Sequence, residues 1–235
     1  MIEFKESHRH KLVVSADDFG ISMRANKNIL YLIELGKIDR VGVMINGEIS
    51  QEEVSKLSRC GVKIDIHLDI LHEFADQRQK KKSGPIRSLE FLKKLLFREI
   101  TSKKVFADWN KQIEKFRKIF GKNPDGINSH EHIHLFPFFF KIALDLRDKY
   151  SIPFIRFGDS VFMPKHGFVS HTLHYLRKMN LRTCSKRGCV STSSLVSLDW
   201  IDDVDNFIDN LPEGNIEVVC HPEIADDFIK IKKYF

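Results

Sequence analysis

The sequence predicts an α/β fold with a largely parallel sheet, either open or closed into a TIM-like barrel. Three observations carry this expectation. Short apolar runs alternate with longer stretches of helical period, as in chained strand–helix units. The length, 235 residues, suits one barrel-sized domain spanning residues 1–235. And the residues best suited to chemistry recur just past the apolar runs, where parallel α/β folds gather their active sites.

Taken in order, the predicted strands are residues 12–16 (LVVSA), 41–45 (VGVMI), 62–68 (VKIDIHL), 126–129, 153–157 and 216–220 (IEVVC). The predicted helices are 26–35, 51–58, 88–100, 105–120, 137–149 and 202–210. Val105, Trp109, Ile113, Phe116 and Phe120 recur at helical spacing and mark one buried face. Gly121 and Pro124 then end that helix. Residues 72–84 are polar and charged and read as an exposed loop, and 183–194 show no clear period.

Composition excludes several classes. Hydrophobic residues at 42% and charged residues at 30% argue against wholesale disorder. No run approaches the ~18 apolar residues of a membrane span, and the N-terminus lacks the apolar core of a signal peptide. Lys and Arg number 38 against 32 Asp and Glu, a net charge of +6 that is dispersed, with no nucleic-acid-binding motif. The four cysteines form no C-x-x-C pair, so a reduced cytoplasmic protein is expected.

Four strand ends hold the chemistry. Ala16-Asp17-Asp18-Phe19-Gly20 closes the first strand, and adjacent carboxylates there call for a cation or a shared proton, unless one only caps the next helix. His67 ends the third strand. Ser129-His130-Glu131-His132-Ile133-His134 follows the fourth, where alternation would bring His130, His132 and His134 to one side. Cys220-His221-Pro222 ends the last strand. One Asp with two His and open positions can hold a divalent ion that activates water. Arg156, at the tip of strand 153–157, is a candidate for gripping substrate, orienting an acid or forming a structural ion pair.

These motifs, in this order from Leu12 to Pro222, resemble the YdjC-like carbohydrate deacetylases, which include chitooligosaccharide and hopanoid-associated members. Asn26 and Asn46 also fall where that family keeps an Asn. The resemblance implies a distorted TIM-like (β/α) barrel and metal-dependent removal of N-acetyl groups from amino sugars. It implies Asp18, His67 and His130 as metal ligands, Asp17 as general base and His221 as general acid. Asn46, His132, His134 and Arg156 are the candidate substrate-binding residues. The implied cofactor is one divalent ion, Zn or Mg first, with Mn, Co or Ni also compatible with Asp/His/His. The chain departs from the family pattern at Asn128 (commonly Asp), Asp65 (usually Gly) and Glu223 (often Gly).

The expected partner is an N-acetylated amino-sugar substrate, with no nucleic acid; a homodimer is compatible with the sequence. Lys80–Lys82, residues 88–98 and the C-terminal 228–235 are basic, the latter two amphipathic. They suit either peripheral contact with the inner face of a membrane or ordinary packing with a solvated side. The competing function is another metal-dependent barrel enzyme, a phosphoesterase or sugar isomerase.

Overall fold

The computed structural model describes residues 11–70, 101–160 and 167–235. Eight strands form one sheet: β1 (Leu12–Phe19), β2 (Arg40–Val43), β3 (Lys63–Leu68), β4 (Gly126–Ser129), β5 (Phe154–Ile155), β6 (Asp159–Ser160), β7 (Ser194–Ser197) and β8 (Ile216–Cys220). Their order is β5-β4-β3-β2-β1-β8-β7-β6, and every pairing is parallel. The two edge strands lie on one run of chain, separated only by Arg156, Phe157 and Gly158. On one side the Arg156 N–H donates to the Ile127 carbonyl of β4 at 2.9 Å; on the other the Asp159 N–H donates to the Ser193 carbonyl beside β7 at 2.9 Å. The sheet therefore curls until both edges meet on the same segment, a distorted barrel of seven staves.

Among the described residues seven α-helices pack outside: α1 (Met23–Glu34), α2 (Gln51–Arg59), α3 (Ser102–Phe120), α4 (Pro137–Lys149), α5 (Gly167–Lys186), α6 (Val204–Asp209) and α7 (Ala225–Tyr234). Their starts carry the expected chemistry. Ser22 and Thr101 accept N-cap hydrogen bonds from Ala25 and Lys104, and Ser50 with Glu53 forms a reciprocal capping box. Pro137 opens α4, where a missing N–H costs nothing. On α3 the predicted stripe is buried at Val105, Trp109, Ile113 and Phe116, and Trp109 packs against Phe139 of α4 with ring centroids 5.9 Å apart.

Sequence periodicity did not identify α5. Its Leu173, Leu176 and Cys184 are buried while Val169, Tyr175, Met179 and Leu181 are exposed, so no single apolar stripe stands out. The unplaced stretch 183–194 proves to be the end of α5 and the approach to β7. The basic C-terminus is a packed helix, with Ile231 fully buried and Lys230 donating to the Ile201 carbonyl at 2.9 Å. The predicted loop 72–84 and helix 88–100, with the basic residues 80–82 and 88–98, lie outside the described residues. No helix among the described residues is long and apolar enough to cross a membrane.

The barrel interior is charged. Asp65 of β3 receives both arms of the Arg40 guanidinium, at 2.9 and 2.6 Å, and Arg40 also stacks over the Phe154 ring at 3.9 Å. A Cβ at Gly126 would meet Arg40 Nη2 and Asp65 Oδ1, each at 2.6 Å, so the glycine makes room for the pair. Asp65 thus fills the lumen below the site, two residues deeper than His67 on the same face of the strand.

Candidate active site

Strand order brings the ends of β4, β3, β1 and β8 to one rim, with only β2 between β3 and β1. At the end of β1 the ladder slips between Ala16 and Phe19, and Asp18 adopts a left-handed backbone with φ 68°. Asp tolerates this region better than most residues. The bend overrides the alternation of a straight strand, so both neighbouring carboxylates reach His67: Asp18 Oδ1 lies 3.2 Å from Nε2, and Asp17 Oδ2 lies 3.9 Å from Nδ1. Asn26, buried, locks the turn. Its Oδ1 accepts from the Gly20 N–H at 2.6 Å and its Nδ2 donates to the Glu48 carbonyl at 2.7 Å.

His130, just past β4, places Nδ1 3.0 Å from the same Asp18 Oδ1, and its ring stands nearly perpendicular to that of His67. Asp18, His67 and His130 are the one group among the described residues whose ligand atoms converge in this way, all within 4.8 Å. Donors each about 2.0–2.2 Å from a shared ion stand about 3–3.5 Å apart. The two Asp18 spacings match that requirement, and a carboxylate with two imidazoles is a donor set suited to a divalent transition metal. Without an ion, the Asp18 partnership has opposite effects on its members. Burial would raise the Asp18 carboxyl, yet the two imidazoles hold it well below the ordinary range; burial would lower His130, yet Asp18 raises it.

Asp17 sits under the triad, almost wholly buried, with Arg156 Nη1 and Nη2 on its two oxygens at 2.6 and 2.9 Å. Burial alone would raise its pKa, but Arg156, then His67 and His221, outweigh it and keep the carboxyl ionised far below the usual range. Arg156 Nε also donates to Glu217 at 2.8 Å, and Glu217 accepts from Ser15 at 2.7 Å. Gly42 of β2 faces this group. A Cβ there would lie 2.9 Å from Asp17 Oδ1 and 3.1 Å from His67 Nδ1, so the stave between β1 and β3 must lack a side chain.

His221, a third exposed at its side chain, completes the rim. Its backbone N–H donates to Asp227 Oδ2 at 2.7 Å, and its ring Nδ1 lies 3.7 Å from the same oxygen. Burial opposes the charged imidazole, but Asp227, Asp18 and Asp17 outweigh it and push the pKa up to about 9. Asp227 belongs to the helix that the sequence marked only as a basic tail, and sequence reasoning missed it. The available signal was an acidic pair in a helix first turn, six residues past His221. Glu223, another departure from the family pattern, accepts from the α1 cap Ser22 at 2.7 Å, and Asn28 donates to the Pro222 carbonyl at 2.7 Å, so this loop is tied to α1.

The HEHIH run does not alternate. Residues His130–Leu135 form a 3₁₀ turn in which Glu131 and His132 are left-handed, with φ 53° and 54°. The three imidazoles therefore separate. His130 joins the triad. His134 is buried, with Nδ1 2.6 Å from Ser129 Oγ and Nε2 2.8 Å from the Arg156 carbonyl, so both nitrogens are used within the chain. His132 keeps a buried Nδ1 with no protein partner, and burial, then Arg156, hold its ring neutral. Asn46 is exposed on the loop after β2, with its Oδ1 accepting from Lys115 at 3.2 Å. Arg156 is fully buried beneath Asp17, not at the opening.

Fold and site together define a class: an α/β barrel whose strand ends present a carboxylate–imidazole triad fit for a divalent ion. The YdjC-like protein family matches residues 11–233, and the chain belongs to that family. Among curated relatives, a chitooligosaccharide deacetylase of Escherichia fergusonii is 26% identical over 95% of this chain and 85% of its own length. One of Proteus mirabilis is 24% identical over 96% and 86%. A carbohydrate deacetylase of Mus musculus is 24% identical over 63% of this chain but only 50% of its own, so the chain matches about half of that longer relative. A crystal structure of a putative cellobiose-phosphate cleavage protein from Enterococcus faecalis shares the fold, with a TM-score of 0.63 at 19% identity over 93% of this chain and 83% of that one.

Proposed function

We propose that the protein is a divalent-metal-dependent hydrolase that removes the acetyl group from an N-acetylated amino sugar. The observation that carries this reading is the convergence of His67 Nε2 and His130 Nδ1 on one Asp18 oxygen, with ionised Asp17 and cationic His221 alongside. The names of the bacterial relatives, matched over most of their length, support the substrate class. When bound, a divalent ion supplies Lewis acidity, polarising the acetamide carbonyl and acidifying the attacking water.

In this reading Asp18, His67 and His130 hold the ion, zinc or magnesium first. Asp17 accepts the proton of the attacking water. Arg156 keeps it ionised but also makes it a weak base, so its work depends on that water being acidified. An amide expels its nitrogen only after protonation, and His221, cationic below about pH 9, is placed to donate that proton. In a cytoplasmic setting the substrate would be either a soluble oligosaccharide or a lipid-carried N-acetylhexosamine at an anionic membrane.

Acetate release measured side by side on soluble chitooligosaccharides and on lipid-linked N-acetylhexosamines tests the reading. Turnover of either supports it and names the carrier. No release from any N-acetylated sugar, in metal-loaded folded protein, contradicts it.

A further inference from the structure

Asn128 of β4 is buried between His67 and Arg156, and its amide meets incompatible demands. Its side chain touches His67 Nδ1 at 2.7 Å, the Ile66 carbonyl at 3.1 Å and Arg156 Nη2 at 3.0 Å. Arg156 is a donor in every state, and the Ile66 carbonyl can only accept. With the amide oxygen toward Arg156 and the nitrogen toward Ile66 and His67, all three contacts are hydrogen bonds. His67 Nδ1 is then an acceptor, so the ring hydrogen sits on Nε2, facing Asp18 Oδ1 at 3.2 Å. The metal-free network is complete.

That same arrangement blocks the triad. A metal ion needs the Nε2 lone pair, which places the proton on Nδ1. Nδ1–H then needs an acceptor, and Asp17 at 3.9 Å is too far to serve. The Asn128 oxygen must turn to it, which sets the amide nitrogen against Arg156 and leaves the Ile66 carbonyl without its donor. Between the two arrangements the ring hydrogen moves from one nitrogen to the other.

The geometry points to Asn128 as a two-position element: without metal its amide nitrogen holds His67 in the Nε2–H tautomer, and filling the Asp18–His67–His130 triad reverses amide and tautomer together. Asn128 is a positioning residue, acting on the ion only through His67. The inference rests on the proposed metal-dependent reading. It makes the site a weaker metal holder than its three ligands would be with an acceptor on both sides of position 128. Asn128→Asp supplies that acceptor, to His67 Nδ1–H and to Arg156 at once. Groups behind a ligating imidazole change metal affinity by roughly 10–100-fold.

Two measurements on the full chain test this. Long-range ¹H–¹⁵N correlation spectra, with His67 assigned by its loss in His67→Asn, report which nitrogen carries the proton in the wild-type protein, stripped and then loaded with zinc. Competition with a chromophoric chelator gives the zinc affinity of wild type and Asn128→Asp. The expected results are Nε2–H when stripped, Nδ1–H when loaded, and zinc held roughly 10–100-fold more tightly by Asn128→Asp. An Nδ1–H tautomer in the stripped wild type, which needs no variant to observe, overturns the proposal. So does a folded Asn128→Asp protein with unchanged or weaker zinc binding. Failure of the wider reading looks different: there, wild type takes up no ion at the triad at all.

Discussion

Arg156 grips Asp17 through two parallel contacts, at 2.6 and 2.9 Å, across 139 positions of sequence. The segment that carries Arg156 is the one that closes the barrel, so closure and the ionisation of Asp17 are one structural event. The ion pair with Asp17 is the reading that the geometry favours for Arg156 over direct grip on substrate. Arg156→Lys keeps the charge but loses the fork. The expected outcome in steady-state kinetics is a lower kcat with KM nearly unchanged. A large rise in KM with kcat preserved would return Arg156 to the substrate.

In the proposed reading the two neighbouring aspartates divide the work. Asp18→Asn, His67→Ala and His130→Ala should each lose metal and activity together. Asp17→Asn should keep the metal while kcat falls by roughly 10²–10⁴, the usual loss for a general base. Metal analysis on folded variants checks this, and a metal-free or fully active Asp17→Asn protein would reverse the assignment.

His221 gives the pH dependence its sign. Its pKa is raised to about 9, so the acid form is present below that value and lost as pH rises through it. A divalent ion on Asp18 offsets part of that rise, so the alkaline limb of kcat/KM should fall between the ordinary histidine value of about 6.5 and pH 9. Asp227→Asn removes the nearest carboxylate and should move that limb to lower pH, toward the ordinary histidine value of about 6.5. A limb that stays in place on this change would mean that another group sets it.

Much of this was legible in the sequence for physical reasons. β1, β2, β3 and β8 are buried and read as largely apolar runs, while the short β4 (Gly-Ile-Asn-Ser) is buried with one apolar side chain. Their tips carry Asp17, Asp18, His67, His130 and His221, and parallel strands bring such tips together. β6 is two residues long and β7 is half serine, which leaves no apolar run to find. Alternation misplaced His132 and His134 because a 3₁₀ turn with two left-handed residues follows β4 directly. Glu217 and Asp227 gain their meaning only from partners distant in sequence or on another turn.

Asp65 shows the same limit. In sequence it is an isolated carboxylate in an apolar strand; in space it is half of a buried ion pair with Arg40, itself 25 residues earlier. Breaking such a pair by removing one partner costs about 3–5 kcal/mol. Asp65→Ala should lose that much stability in denaturant unfolding, with metal content retained, and the double change Arg40→Met with Asp65→Leu should recover most of it. Loss of metal without loss of stability would place Asp65 in the site instead.

Acetate release from a soluble N-acetylated chitooligosaccharide, followed as zinc or magnesium is added back to chelator-stripped protein, tests the central claim most directly. The account predicts no turnover without metal and full turnover at one equivalent of ion per chain. Turnover that is indifferent to stripping would contradict it.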